Sequence, residues 1–329
     1  MHPGRRVRLR RRLVYVALSA LAGLAFAVAR GLGTPVLGAV IGATIAAGSS
    51  AIQELTDTLR FATGLRRLPL LATSLIVAAA YLVVILPTLI VAIRIAEGSW
   101  SFNLLATAFS IALTVFFTSV NTIGRLIGWR VLGNVLIGRY RRPVHEDRIF
   151  LFLDLAGSTG LAERLGEMRV QELIAQFYFD IAQPIAAHGG EIYQYRGDEI
   201  SVTWPLAAGT RDGSSIACAF AIRDRIAARA DWYRRVFGVV PEFRIGLHGG
   251  SVVAGEVGDE RREIMYFGDT INVAARIQGL AKREGRAVCI SGDLLGRIDL
   301  PARIQATPLG RFQLQGKQQQ TEVFSLAAA

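Results

Sequence analysis

Four apolar stretches in the first half of this chain restrict its architecture more than any other feature. They run roughly Leu13–Ala29, Gly31–Ile52, Pro69–Ile93 and Phe102–Ile123. Each approaches the roughly 20 residues that a helix needs to cross the hydrocarbon core of a bilayer. The third carries no charge from Pro69 to Ile93, whereas the second is rich in Gly and carries Pro35. Within the second, Gly38 and Gly42 form a small-xxx-small face suited to close helix–helix approach, a pattern frequent enough in Gly/Ala-rich helices not to prove pairing between chains. No cluster of His, Asp or Glu lies within the stretches; Glu54 and Asp57 fall in the connection after the second.

Arginine marks one side of this arrangement. The formal net charge of +11 belongs entirely to residues 1–147, with 16 Lys+Arg against 5 Asp+Glu, while residues 148–329 hold 21 of each. This split excludes a uniformly basic nucleic-acid binder, and the 52% hydrophobic content excludes a disordered polyelectrolyte. Six arginines precede the first stretch (Arg5, Arg6, Arg8, Arg10, Arg11, Arg12). Arg60, Arg66 and Arg67 follow the second, and Arg125, Arg130, Arg139, Arg141 and Arg142 follow the fourth. The other two connections offer only Arg30, and Arg94 beside Glu97. The positive-inside rule then predicts a four-helix, multi-pass domain over residues 1–124 in the cytoplasmic (inner) membrane, with both termini in the cytoplasm. Ala25-Phe26-Ala27 could mimic a leader-processing site, the alternative in which Leu13–Ala29 is a cleaved signal peptide. Residues 125–147 read as a juxtamembrane segment. Within it, Leu126–Tyr140 is either a helix pairing with its copy in a dimer or an interfacial helix with arginines on lipid headgroups.

From Arg148 to Ala329 the pattern is α+β. Ile149–Leu155 reads as a buried strand ending at a carboxylate, and Ser158–Ala187 as one long helix stopped by His188-Gly189-Gly190. Glu191–Arg196, Gly197-Asp198 and Glu199–Trp204 read as a hairpin. A helix over Ser214–Arg235, strands over Phe243–His248, Val252–Val257 and Glu263–Phe267, and a helix over Asp269–Arg283 follow. The order β-α-β-β-α-β predicts a ferredoxin-like, or palm, domain. In that topology the strand ending at Asp154 neighbours the hairpin carrying Asp198, so two hard oxygen ligands share one sheet edge, as Mg²⁺ prefers. Gly157-Ser158-Thr159 opens a helix whose free N–H groups suit a polyphosphate. Cys218 and Cys289 stand alone in apolar surroundings, which excludes a disulfide framework or a CxxC metal site. Lysine occurs only at Lys282 and Lys317, neither in a P-loop.

Three segments then carry a resemblance. Phe152–Thr159 (FLDLAGST), Arg196–Glu199 (RGDE) and Phe267–Arg276 (FGDTINVAAR) resemble the class III adenylyl/guanylyl cyclases in order and spacing. The resemblance covers roughly Arg148 to Ala329. It implies cyclisation of a nucleoside triphosphate to a 3′,5′-cyclic monophosphate and pyrophosphate, a phosphorus–oxygen lyase activity. It also implies roles: Asp154 and Asp198 as ligands of two Mg²⁺ (or Mn²⁺) ions, Asn272 orienting the ribose, and Arg276 offsetting charge at the α-phosphate. In the family the last two come from the opposite protomer, so the resemblance implies a head-to-tail homodimer with two shared sites.

The base-reading positions depart from the family pattern. Aligned on Gly197-Asp198, Gln194 stands where family adenylyl cyclases carry Lys; aligned on Gly268–Asn272, Met265 stands where they carry Asp or Thr. Gln pairs with adenine through its amide, but Met accepts no hydrogen bond from the exocyclic amine. The guanine-reading pair is absent as well. ATP is the expected substrate on the resemblance; relaxed or GTP specificity and a catalytically idle nucleotide-binding scaffold are the alternatives. Arg196-Gly197-Asp198-Glu199 also echoes a diguanylate cyclase hairpin, which would leave Asn272 and Arg276 without a role.

Overall fold

The computed structural model describes residues 3–29, 35–62, 70–97, 104–127, 133, 138–259, 262–313 and 320–328. From Arg5 onward the chain divides into two compact units, Arg5–Trp129 and Arg130–Ala329.

The first unit holds four helices: α1 (Pro3–Ala29), α2 (Pro35–Ala62), α3 (Leu70–Glu97) and α4 (Leu104–Ile127). Among the described residues, Pro35–Ile52 is the segment both long and apolar enough to cross a bilayer; shorter apolar stretches are Leu13–Ala29, Ala79–Val91 and Thr107–Phe116. Pro35 does not interrupt α2; it opens the helix, where its missing N–H leaves no intrahelical bond unmade. The glycine face of α2 is used within the chain. A Cβ on Gly38 would meet the Gly23 carbonyl of α1, and one on Gly42 the Ser19 carbonyl, so the two backbones are in contact. Ile45 packs with Tyr81, Ile85 and Leu89 of α3. Polar side chains such as Ser19, Ser49, Thr107, Ser110 and Thr114 are buried, while Leu13, Val36, Val83, Leu104 and Phe116 are exposed. Thr44, Thr88 and Thr114 donate to carbonyls four residues back, at 2.7 to 2.8 Å, so their hydroxyls are satisfied within their own helices.

The second unit is built on one mixed sheet. Strands β1 (Val144–Leu155), β2 (Glu191–Arg196), β3 (Glu199–Pro205), β4 (Phe243–Val257), β5 (Glu263–Phe267), β6 (Val288–Ser291), β7 (Ile304–Phe312) and β8 (Thr321–Ala328) are joined by helices α5 (Ser158–Leu165), α6 (Glu167–Ala187), α7 (Leu206–Thr210), α8 (Ser214–Ala228), α9 (Ala230–Phe237), α10 (Asp269–Arg283) and α11 (Gly292–Leu295). The strand order is β2-β3-β1-β4-β6-β8-β7, with β5 paired to β4. The pair β4–β6 is parallel and the others antiparallel.

The central strand explains its own unbroken apolar run. Ile149, Leu151, Leu153 and Leu155 face a core shared with Leu173, Phe177 and Ile181 of α6 and Ile216, Ala219 and Ile222 of α8. Phe150 and Phe152 face the other way, against Ala274 of α10 and Val252. Both faces are covered, so neither needs polar residues. Arg148, on the α10 face, is almost wholly buried. It donates to Glu146 at 2.8 Å and lies 4.7 Å from the centroid of the Tyr266 ring.

Three expectations about elements are corrected. The helix expected over Ser158–Ala187 breaks at Gly166, whose backbone (φ 81, ψ 152) lies outside the helical region. The helix expected over Ser214–Arg235 breaks at Arg229, which joins Arg225 and Tyr233 in binding the buried Asp180 carboxylate. Phe243–His248 and Val252–Val257 are one strand. The intervening Gly249 and Gly250 allow close approach instead of a turn, since a Cβ would lie 3.0 Å from Leu294 Cδ1 or 2.8 Å from Thr270 Oγ1. Strands β6, β7 and β8, which extend the sheet beyond β4, had no counterpart in the pattern. The juxtamembrane helix expected over Leu126–Tyr140 lies largely outside the described residues, apart from the end of α4, residue 133 and a turn at 138–140.

Candidate active site

Antiparallel pairing of β1 with β3 sets Glu199 opposite Asp154, so the Gly197-Asp198 turn falls beside the end of β1. Two bonds hold the turn. Leu155 N–H donates to the Asp198 carbonyl at 3.4 Å, and the Tyr178 hydroxyl of α6 donates to the Gly197 carbonyl at 2.9 Å. The Tyr178 ring also packs on Tyr195, 4.7 Å between centroids.

The structure thus brings Asp154 and Asp198 together at one end of the sheet. Burial pushes the Asp154 carboxyl above its ordinary pKa, an effect that Asp198 reinforces and Lys282 opposes. Glu199 is raised for the same first reason, burial, with Asp154 and Asp198 adding to it and Arg196 working against it. Burial and the nearby carboxylates also raise Tyr178, so its hydroxyl stays a donor. Lys282 reaches Asp154 from α10, Nζ to Oδ2 3.1 Å. Sequence reasoning did not place it here, because 128 residues separate the pair and no local pattern connects them.

The donor set fits a divalent cation. Two hard carboxylates compressed against one another gain from a positive charge between them. Among the described residues no group of three or more His, Cys, Asp or Glu forms a metal cage. A metal here would therefore complete its shell with water and substrate oxygens, a habit of Mg²⁺ rather than of structural zinc.

Immediately after Asp154, Gly157 adopts the left-handed conformation (φ 70) ahead of α5, and no side chain caps that helix. Its first N–H groups, with the half-buried Ser158 and exposed Thr159, form a terminus suited to an anion. The preceding residue is anchored by Ala156 N–H donating to the Glu242 carbonyl at 2.8 Å.

The remaining expected residues lie elsewhere. Helix α10 follows Gly268 and is pinned at its start by Thr270, whose hydroxyl donates to the Ser251 carbonyl at 2.7 Å. It crosses β4 at Gly246, where a Cβ would meet the Gln278 backbone. Lys282, near its C-terminal end, is the residue that touches Asp154. At 1.5 Å per residue, Arg276 and Asn272 lie about 9 and 15 Å further back along the axis. Asn272 is exposed, and Arg276 has Nη1 4.0 Å from Asp269 Oδ1. Gln194 is exposed on β2, at a bulge in its pairing with β3, and Met265 is 38% exposed on β5. Their chain neighbours meet: the rings of Tyr193 and Tyr266 lie 5.0 Å apart between centroids.

With this geometry in place, comparisons identify the fold. A family model described as "Adenylate and Guanylate cyclase catalytic domain" matches residues 142–327. Adenylate cyclase 2 of Rhizobium meliloti (strain 1021) is 42% identical over 228 residues, covering 69% of this chain and 62% of the relative. The chain thus spans less than two thirds of that relative, yet the match takes in more than the family domain and reaches upstream of residue 142. A bacterial light-regulated adenylyl cyclase structure superposes with a TM-score of 0.57 at 19% identity, covering 69% of this chain and 66% of that one. The guanylyl cyclase Cya2 superposes at 0.50 with 21% identity, covering 56% and 94%. At such identities the superpositions speak for the fold alone, a palm domain on a mixed sheet. The family match spans most of the second unit and includes all three motifs, and the chain belongs to the adenylate and guanylate cyclase catalytic domain family.

Proposed function

We propose that the chain is a membrane-anchored class III nucleotidyl cyclase that converts ATP to 3′,5′-cyclic AMP and pyrophosphate at two sites shared across a homodimer. The observation that carries this reading is a separation. Asp154 and Asp198 meet at one end of the sheet, while Asn272 and Arg276 sit on α10 about 9 to 15 Å along the axis from the residue that touches Asp154. One chain therefore offers two half-sites, and a head-to-tail pairing is the symmetric way to unite unlike halves twice.

In the united site, Asp154 and Asp198 would hold two Mg²⁺ or Mn²⁺ ions, which supply Lewis acidity at the ribose 3′-hydroxyl and charge neutralisation at the triphosphate. The N–H groups after Gly157, with Ser158 and Thr159, receive phosphate oxygens. Asn272 hydrogen-bonds the ribose and fixes the 3′-oxygen in line with the α-phosphorus. Arg276 meets the negative charge that builds on the α-phosphate as the bond to pyrophosphate breaks. Among the described residues its Nη1 is buried and makes no hydrogen bond, with Asp269 Oδ1 4.0 Å away.

Gln194 and Met265 would face the base. Met265 offers it no hydrogen-bond acceptor, and this favours a second reading in which selection against GTP is relaxed. For the first unit, apolar side chains outside and hydroxyls inside support placement in lipid, with the arginines at the cytoplasmic ends.

Product analysis of the purified full-length chain with Mn²⁺ and either ATP or GTP tests the proposal. Cyclic AMP from ATP is expected, with some cyclic GMP from GTP. Absence of both products while nucleotide remains bound would replace the enzyme by an idle nucleotide-binding scaffold.

A further inference from the structure

We propose that Lys282 is a displaceable counter-ion of the carboxylate pair: it neutralises Asp154 in the metal-free chain and gives way when a divalent cation binds. The inference rests on reading Asp154 and Asp198 as metal ligands. Its basis is an asymmetry within one ion pair. The Asp154 side chain is 15% exposed and fixed at the end of β1, whereas Lys282 is 56% exposed and approaches from α10 on a flexible stem. The lysine is thus the partner that can leave without disturbing the core.

The neighbouring cations are otherwise engaged. Arg244 donates to the Phe243 carbonyl at 3.1 Å and pairs with Glu242 at 3.6 Å, while Arg196 acts on Glu199. The residue type also suits release. A single ammonium at 3.1 Å holds one carboxylate oxygen as a point charge; the planar fork of an arginine would bind both oxygens and resist displacement. An ion pair with so exposed a partner is weak. A divalent ion, with twice the charge and direct oxygen coordination, outcompetes it. In the resting chain the lysine spares Asp154 an uncompensated charge beside Asp198, and this same service makes it a competitor of the metal.

The test is Mn²⁺ binding by the full-length chain in detergent without nucleotide, read from the electron paramagnetic resonance signal of free Mn²⁺. Lys282→Gln should tighten binding about fivefold, and Lys282→Arg should leave it equal or weaker. Asp154→Asn should abolish it. Unchanged or weaker binding by Lys282→Gln, with wild-type binding still dependent on Asp154, would overturn the counter-ion and leave the metal reading intact. Mn²⁺ binding that is absent, or indifferent to Asp154→Asn, would remove both. A Lys282→Gln chain that melts earlier with unchanged Mn²⁺ affinity would assign the lysine to stability alone and also overturn the proposal.

Discussion

Asp154 ionises against its surroundings: burial raises its pKa, Asp198 adds to the rise, and Lys282 offsets only part of it. A carboxyl whose pKa is higher in the folded chain than in the unfolded chain stabilises the fold below the unfolded value. That stability is lost as pH rises through the folded value. Asp154→Asn, which cannot ionise, should therefore melt higher than wild type at pH 7.5 without metal, and the gain should shrink toward pH 4; calorimetry at the two pH values checks this. The same variant, and Asp198→Ala, should lower cyclic nucleotide production by at least ~10²-fold while circular dichroism stays unchanged. Asp180 is a second buried acidic side chain, surrounded by donors. Tyr233 donates to it at 2.8 Å, Gln176 and Arg225 at 3.1 Å, and Arg229 binds it as well. Asp180→Ala would strand two guanidinium groups and a hydroxyl, and should cost about 3 kcal/mol in urea unfolding. Asp154 and Asp198 could be paired from sequence because a strand and its neighbouring hairpin are set by local pattern. Asp180 and Lys282 could not, because no strand pairing or hairpin links Asp180 to Arg225, Arg229 and Tyr233, or Lys282 to Asp154.

The elements built from local signals fall where the pattern puts them: β2, β5 and α10 have the expected bounds, and β3 runs one residue longer. Two of the misread elements share a cause, which is that glycine has two uses. Gly249-Gly250 looks like a turn and is a place where β4 is approached by other side chains, whereas Gly166 sits inside a helical periodicity and breaks it. Periodicity measures which face is buried, and α5 and α6 both turn apolar residues to the same core, so their joint left no trace in it. Strand β6 has only four residues, and β7 is interrupted by Pro308 and Gly310, where the β7–β8 register shifts. The sharpest demand on a glycine is at Gly246. A side chain there must push α10 off the sheet, and Gly246→Val should destabilise the domain by at least ~2 kcal/mol and remove activity, measurable by thermal melting and product assay.

For the whole molecule, the two-chain site makes a statistical prediction. Asp154→Ala and Asn272→Ala chains, each inactive alone, should recover activity when co-expressed, because a mixed dimer rebuilds one complete site. With random pairing about a quarter of wild-type activity is expected. Inactive mixed dimers, isolated through two different affinity tags, would rule out sites shared across chains. In the first unit the face of Gly23, Gly38 and Gly42 is already filled by the α1–α2 contact, so dimerisation through that surface would require these helices to part.

The contact between Gly246 and Gln278 also has a mechanical meaning. With the Thr270 bond to Ser251, it supports α10 at two points eight residues, or about 12 Å, apart. Asn272 and Arg276 fall between the supports, and Lys282 lies about 6 Å beyond the second. On the two-chain reading proposed above, the residues offered to the partner's substrate are therefore carried on a beam held at both ends, and the lysine on its overhang.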